Sequence, residues 1–250
     1  MAGNSVSLLI GIHSVESALS KMPGQVQLIR VAQESHNPRV AVLVAQAKEL
    51  GISVEKEPRA LLERRSEGHR HQDIIAEFLA ENLFGEKDLD RVLDSIDGPS
   101  LLLVLDNVQD PHNLGACLRT AEAAGVHAVI LPRDRSAGLT PVARRAASGA
   151  AEVLPILVVT NLARILRALK AKGVWLLGTS DRAEQSIYDA DLSGSMALVM
   201  GGEEKGMRRL TSESCDFLVR IPMHGSVSSL NVSVATGVCL FEMVRQRGSA

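Results

Sequence analysis

The chain of 250 residues is 46% hydrophobic and 22% charged, with a formal net charge of −2; this describes a globular protein with room for one large core or two modest ones, and no net positive field announces a nucleic-acid partner. No apolar run approaches the roughly 20 residues needed to span a bilayer, so no membrane partner is expected. Three widely spaced cysteines, Cys117, Cys215 and Cys239, with no CxxC pair, argue against a disulfide framework and against a bound metal, and free, mostly buried thiols are expected.

The opening MAGNSVSLLIGIHSVE lacks a basic leader followed by an apolar stretch and a cleavage site, which points to a cytoplasmic protein. Residues 1–79 then alternate short apolar runs with helical patterns: VSLLIG before HSVESALSKM, VQLIRVA before PRVAVLVAQAKELG, then ISVEKE and IIAEFLA. Such alternation predicts a small α/β layer structure. Asn37-Pro38 and Gly51 punctuate its clearest helix, over 38–50. His69 and His71 form an HxH beside Arg64, Arg65 and Arg70. Without a third ligand nearby the pair reads either as a solvated loop or as a contact to RNA phosphate.

Lys and Arg stand against Asp and Glu at 9 to 9 over residues 1–80 and 16 to 14 over 98–250, but at 2 to 6 over 81–97. The acid excess is confined to that short stretch. It precedes Gly98-Pro99, so a linker is placed at 80–98 and a second domain at 99–250. From residue 100 the runs LLLVLD, HAVIL, EVLPILV, VWLLGTS, MALVMG and DFLVRIP are apolar almost throughout, as strands covered on both faces are. Between them lie helices expected from Asn113 to about Ala124, from Thr140-Pro141, and from Asn161 to Gly173. A parallel, doubly covered sheet follows. Aromatic residues are only 2% of the chain, which disfavours aromatic stacking as a way of holding single-stranded RNA.

Three segments carry candidate chemistry. In DNVQDPHNLGACLRTAEAAG, residues 106–125, a strand ends in a polar loop and a helix begins. Ligands of open parallel sheets gather at such strand ends, near helix N-termini. Asn113 is a good N-cap, and that alone is a complete role for it. Arg119, four residues after Gly115 on the same face, can lean back toward the helix mouth or form an exposed pair with Glu122.

In LVMGGEEKGMRRL, residues 198–210, the glycines match neither GxGxxG nor a Walker A loop. They permit a ligand to approach the backbone with Glu203 aimed into the site, or simply make a tight turn. In RIPMHGSVSSLNVSVATGVCLFEMVRQR, residues 220–247, a strand ends at Ile221-Pro222 and a helix starts near Asn231. Ser228, Ser229 and Asn231 supply more polar groups than one cap needs.

DPHNLGACLRTAEAAGVHAVI, GMRRL and IPMHGSVSSLNVSVATGVCLFE, in this order and spacing, resemble the signature motifs of the SPOUT methyltransferases, TrmH (SpoU) class. The likeness covers the C-terminal 150 residues strongly, and GIHSVESAL and HQDIIA more loosely. It departs from the family pattern at Asn107, where a glycine is expected, and at two interior positions of GGEEKG.

The resemblance implies an α/β fold with a C-terminal trefoil-knot (SPOUT) domain on a parallel sheet, and an N-terminal RNA substrate-binding domain similar to ribosomal L30e-type proteins. It further implies a homodimer that uses S-adenosyl-L-methionine to methylate the ribose 2′-hydroxyl of a guanosine in 23S rRNA. By position, Thr179, Gly201, Ile221, Met223 and Leu230 are expected around the cofactor. Arg119, Asn113, Glu203, Ser229 and Asn231 are expected at the reacting end. Family analogy gives Arg119 the activation of the hydroxyl; a guanidinium is a poor base, so orienting the nucleotide or stabilising an alkoxide are equally open roles. The competing readings are a non-catalytic RNA-binding or ribosome-assembly factor and, more remotely, a Rossmann-type oxidoreductase.

Overall fold

The computed structural model describes residues 5–80, 83–203 and 206–248; Glu204 and Lys205 of GGEEKG and the first residues of the expected linker, 81–82, lie outside them. The N-terminal layer contains β1 (Ser5–Ile10), α1 (Ile12–Lys21), β2 (Val26–Ala32), α2 (Pro38–Glu49), β3 (Ser53–Glu57), α3 (Arg59–Arg65) and β4 (Ile74–Ala80). Its strands make one mixed sheet in the order β1-β4-β2-β3, parallel only between β2 and β3. One face packs Leu9, Ile29, Ile74 and Phe78 against α1 and α2. On β2, Arg30 is buried but not isolated, since Glu55, Glu57 and Glu77 surround its guanidinium.

The larger layer contains β5 (Leu83–Phe84), α4 (Leu89–Asp94), β6 (Leu101–Asp106), α5 (Pro111–Ala123), β7 (Ala128–Pro132), α6 (Pro141–Ala147), α7 (Ala150–Val153), β8 (Ile156–Val159) and α8 (Leu162–Ala171). These are followed by β9 (Trp175–Thr179), β10 (Gln185–Ser186), β11 (Met196–Gly201), α9 (Arg209–Ser214), β12 (Phe217–Arg220) and α10 (Val232–Arg247). Eight strands lie in the order β10-β12-β9-β11-β6-β7-β8-β5, and every adjacent pair is parallel. All six residues of β6 are buried. Leu101, Leu103 and Leu105 join one cluster with Leu114, Leu118, Leu240 and Met243 of α5 and α10. Leu102 and Val104 join another with Ile165, Leu166 and Leu169 of α8. This two-sided burial explains why the strand is apolar without alternation.

The stretch 80–98 carries structure of its own: β5 pairs with β8, and Leu89 and Val92 of α4 pack into the cluster on the α8 side of the sheet. Two expectations are corrected. Within EVLPILV, residues 152–153 close the short helix α7 and only the part after Pro155 is strand. The helix of the first motif starts at Pro111, not at Asn113. The two layers also touch. Lys21 of α1 pairs with Glu122 of α5, and Gly149, at φ 93, lies so close to Ser17 of α1 that a Cβ there would overlap it.

Candidate active site

Strands β12, β9 and β11 run side by side in one direction, Thr179 opposite Val219 and Gly178 opposite Val199. Their carboxyl ends, at Arg220, Thr179 and Gly201, are therefore neighbours, the place where open parallel sheets hold ligands. On the other side of β11, the end of β6 leads into α5 and the end of β7 into a long loop. Asn107, Asp110, Asn113, Arg135, Glu203 and Arg208 line a crevice of about 960 Å³ over the ends of β11, β6 and β7.

The first motif is built by capping. Asp110 Oδ1 accepts from the His112 N–H at 2.9 Å, and Pro111 occupies the first helical position, where its missing N–H is no loss. Asn113 is thereby released from capping. Its side-chain Nδ2 donates to Glu203, and its Oδ1 accepts from Asn231 Nδ2 at 2.9 Å. Asn231 does cap its helix, α10, its Oδ1 accepting from the Ser233 N–H at 2.9 Å and the Ser233 hydroxyl at 2.6 Å. Protons thus point one way, from Asn231 to Asn113 to Glu203. Such a chain polarises in one sense and ends on a carboxylate, the stronger kind of acceptor. Residues 113, 203 and 231, one from each motif, meet here.

The glycines of the second motif serve the turn itself. A Cβ on Gly201 would overlap the backbone of Gly206 and Met207, and one on Gly202 the carbonyl of Asn107. Asn107 stands at φ 68; asparagine is among the few residues besides glycine that tolerate a left-handed backbone, which accounts for its taking a position where glycine is expected. The turn is pinned from below by Asp106. This carboxylate is fully buried at the end of β6 and accepts from the Arg208 N–H at 2.9 Å and Arg208 Nε at 2.6 Å.

The third motif offers unused backbone. Residues 222–230 form neither helix nor strand, and none of their backbone groups exchanges a backbone hydrogen bond with another described residue. Ile221 and Met223 are half-buried and Leu230 is 36% exposed. Thr179 turns its hydroxyl to Met200 Sδ at 3.6 Å. Open N–H and C=O groups beside accessible apolar side chains fit a ligand with a heterocyclic face and a zwitterionic tail. Ser229 is exposed in this segment, and no side-chain partner for it is found among the described residues.

Residues 100–241 match the SpoU rRNA Methylase family. The chain belongs to that family. Residues 8–83 match a second family description, RNA 2′-O ribose methyltransferase substrate binding. The chain is 53% identical over 241 residues, 96% of each chain, to the 23S rRNA (guanosine-2′-O-)-methyltransferase RlmB of Pseudomonas syringae pv. tomato, and 52% identical over 243 residues to that of Bordetella pertussis, covering 97% of this chain and 98% of that one. Among solved structures, the SpoU methyltransferase AviRb from Streptomyces viridochromogenes in complex with AdoMet superposes with a TM-score of 0.81 at 25% identity, covering 98% of this chain and 92% of that one. The AdoMet-bound rRNA methyltransferase from Sinorhizobium meliloti gives 0.77 at 25% identity, with 96% and 87% covered.

In this SpoU chain Arg119 is placed differently from both sequence readings. Glu122 is taken by Lys21, and Arg119 Nη1 reaches Ser148 Oγ at 3.5 Å rather than the helix mouth. The reason is Gly115, one turn earlier on the same face. Without a Cβ it lets α6 approach, and a methyl there would overlap Ala143 O and stand 2.5 Å from Ala146 Cβ. The covered face sends Arg119 to the α6–α7 turn, where Ser148 stands at φ 51 and the buried Arg144–Glu152 pair closes the bend at 3.0 Å.

Asp106, Arg135, Ser148 and Arg208 escaped the sequence reading. Only Asp106 left a trace there, as a lone acid ending an apolar strand. Burial pushes the thiols of Cys215 and Cys239 up to about 12 and that of Cys117 to about 11, so none is a thiolate nucleophile at neutral pH. His71 is buried, not solvated. Its Nδ1 accepts from the Asp73 N–H at 3.1 Å, and burial lowers its pKa. No cluster of three or more metal-ligating side chains occurs among the described residues.

Proposed function

We propose that the chain transfers a methyl group from S-adenosyl-L-methionine to the ribose 2′-hydroxyl of a guanosine in 23S rRNA. The observation that carries this reading is the hydrogen-bonded set Asn231, Asn113 and Glu203, which joins three distant motifs at the seam between two half-sites. One half-site lies over β12, β9 and β11, where Thr179, Gly201, Ile221, Met223 and Leu230 would hold the cofactor largely through backbone groups. The other is the crevice over β11, β6 and β7, wide enough for a nucleotide. When bound, S-adenosylmethionine supplies an electrophilic methyl on its sulfonium sulfur.

The chain's own residues then align and desolvate. Alignment of two bound reactants is worth up to roughly 7–11 kcal/mol in the best intramolecular cases. Asn113 and Asn231, held in one orientation by Glu203, position the ribose. Ser229, two residues before Asn231, offers an exposed hydroxyl with no side-chain partner among the described residues. Arg119 is read as an orienting or charge-stabilising group for the 2′-oxygen that acts from its place beside Ser148, and not as a base, since a guanidinium is a poor one.

Residues 1–79 act as the RNA-binding domain of the L30e type, 80–98 connect, and 99–250 form the methyltransferase domain. We read the latter as a trefoil knot; in support, Gln246 bonds to Leu192 and Ala190, and Arg247 to the carbonyls of Ser100 and Gly194, which ties the end of α10 to two segments distant in sequence. A cytoplasmic homodimer is the working unit. Leu230 at the mouth of α10, Val234 on its first turn and Phe241 further along are exposed apolar residues that a second copy would cover.

The test is transfer of labelled methyl from S-adenosylmethionine to unmodified 23S rRNA by the purified chain. Asn113→Ala should remove transfer while calorimetry still detects cofactor binding. A wild-type chain that binds no cofactor would instead favour a non-catalytic assembly factor.

A further inference from the structure

The crevice over β11, β6 and β7 has three arginines in its wall: Arg135, Arg208 and Arg209. Two are already neutralised. Arg208 is engaged by buried Asp106, and Arg209 pairs with Glu213 at 2.6 Å. Arg135 has neither an ion pair nor a side-chain hydrogen bond with any described residue, and it is exposed. Of the described acids that line the crevice, Asp110 accepts from the His112 N–H and Glu203 from Asn113, and neither pairs with Arg135.

Arg135 is also held in place by its backbone. It stands at φ 60, a left-handed conformation that disfavours any residue with a Cβ. Three residues on, the same loop uses Gly138 at φ 65. Glycine is thus placed at one left-handed position of this loop and arginine at the other. The loop is fastened on both sides of Arg135: the Arg133 N–H donates to Val159 O at 2.7 Å, and the Ala137 N–H to Val108 O at 3.0 Å. The second tie joins it to the loop that leads into the first motif. A long cation on a strained, anchored backbone, aimed at a site and left without an anion, is an arrangement found where a ligand supplies the missing charge.

We propose that Arg135 grips a phosphodiester adjacent to the ribose that is methylated. The inference rests on the methyltransferase reading for the identity of the ligand. A planar guanidinium matches two phosphate oxygens at once, and across the crevice Asn113 and Glu203 face the position of the sugar. Arg135 is accordingly a substrate-positioning residue on the acceptor side, with no part in holding the methyl donor.

The experiment uses the full chain and a transcribed, unmodified 23S rRNA fragment. Wild type, Arg135→Ala, Arg135→Lys and Arg135→Gly are compared by methyl-transfer kinetics and by filter binding over a salt series, and their S-adenosylmethionine affinity is measured by calorimetry. Arg135→Ala should raise the KM for RNA by about 10-fold or more, with a smaller change in kcat. It should also lower the slope of log affinity against log salt by about 0.7–0.9, the signature of one lost phosphate contact. Arg135→Lys should retain that slope but recover only part of the affinity. Arg135→Gly should show the same KM defect with a melting temperature no lower than wild type, which separates lost contact from misfolding. Unchanged KM and salt slope, or a defect confined to cofactor affinity, overturns the proposal. Should wild type transfer no methyl, the methyltransferase reading fails, and the salt slopes of binding still decide whether Arg135 meets phosphate.

Discussion

Replacing Ser148 by glycine should stabilise the protein and slow it at the same time. Ser148 stands at φ 51, and a left-handed backbone costs a residue with a Cβ roughly 1–2 kcal/mol. Glycine returns about 0.5–1 kcal/mol of this through the freedom it gives the unfolded chain. The net gain is on the order of 0.5–1 kcal/mol, or about 1–4 °C in melting temperature for a chain of this size. The turn itself should persist, since Gly149 already follows at φ 93 and the Arg144–Glu152 pair brackets it.

What disappears is Ser148 Oγ, the acceptor that Arg119 Nη1 reaches at 3.5 Å. Losing one orienting hydrogen bond is worth about 1 kcal/mol, which translates to a turnover slower by about 5-fold. Thermal melting and single-turnover methyl transfer on the same preparations supply both readouts. A merely structural role for Ser148 predicts that stability and activity move together, so their opposite movement is diagnostic. A raised melting temperature with unaltered turnover would show that Arg119 takes its orientation from elsewhere, and a lowered one would sink the strain argument.

Gly115→Ala should be severe for its size. The added methyl meets Ala143 O and lies 2.5 Å from Ala146 Cβ, so α5 and α6 must separate, and overpacking of this kind costs about 1–3 kcal/mol or more; differential scanning calorimetry should record a fall on the order of 5–10 °C, and an unchanged melt would mean that the helices are less closely apposed. A third expectation concerns acid. Hydrogen bonds from Arg245 and Gln246 hold the Glu242 carboxyl down at about 2, against an ordinary 4.5. A carboxyl with a depressed folded-state pKa contributes stability that is complete above its unfolded value and lost as pH falls toward the folded one. The stability advantage of wild type over Glu242→Gln should therefore shrink between about pH 4.5 and about pH 2, as read by urea midpoints across that range. A constant difference would remove Glu242 from the acid response.

How far the sequence could be read depended on whether the relevant interaction was local. Asn37, Thr140 and Asn161 cap the helices that follow them, because a cap is a contact two or three residues long and leaves its signature in the chain. The first motif shows the limit of that logic. Asp110 and Asn113 are both good caps, and Pro111 decides between them, since proline belongs at the first helical position. The Asp106–Arg208 bridge spans 102 residues, and nothing in either neighbourhood announces the partner. Ser148 and Arg135 were invisible for another reason. Left-handed positions are read from glycine and asparagine, so strain carried by serine or arginine leaves no mark in composition. Likewise β5 is two residues long, too short for any period, and becomes a strand only because β8 offers it an open edge.

The pairing of charges also explains how a chain of net charge −2 can serve an RNA substrate. The sum weighs every arginine equally, whereas the fold does not. Arg30 is enclosed by three glutamates, Arg144 by Glu152 and Arg208 by Asp106. Each such pair is a short dipole whose field fades well within the screening length of about 10 Å at 0.1 M salt. Arg64 and Arg70 on the N-terminal layer, and Arg135 at the crevice, are exposed and have no ion pair among the described residues. They are among the charges that an approaching phosphate experiences. Exposed, unpaired arginines of this kind, Arg135 in the same crevice wall as Asn113 and Glu203 among them, offer a polyanion local positive charge without requiring a basic protein. The paired remainder holds the turns that place them.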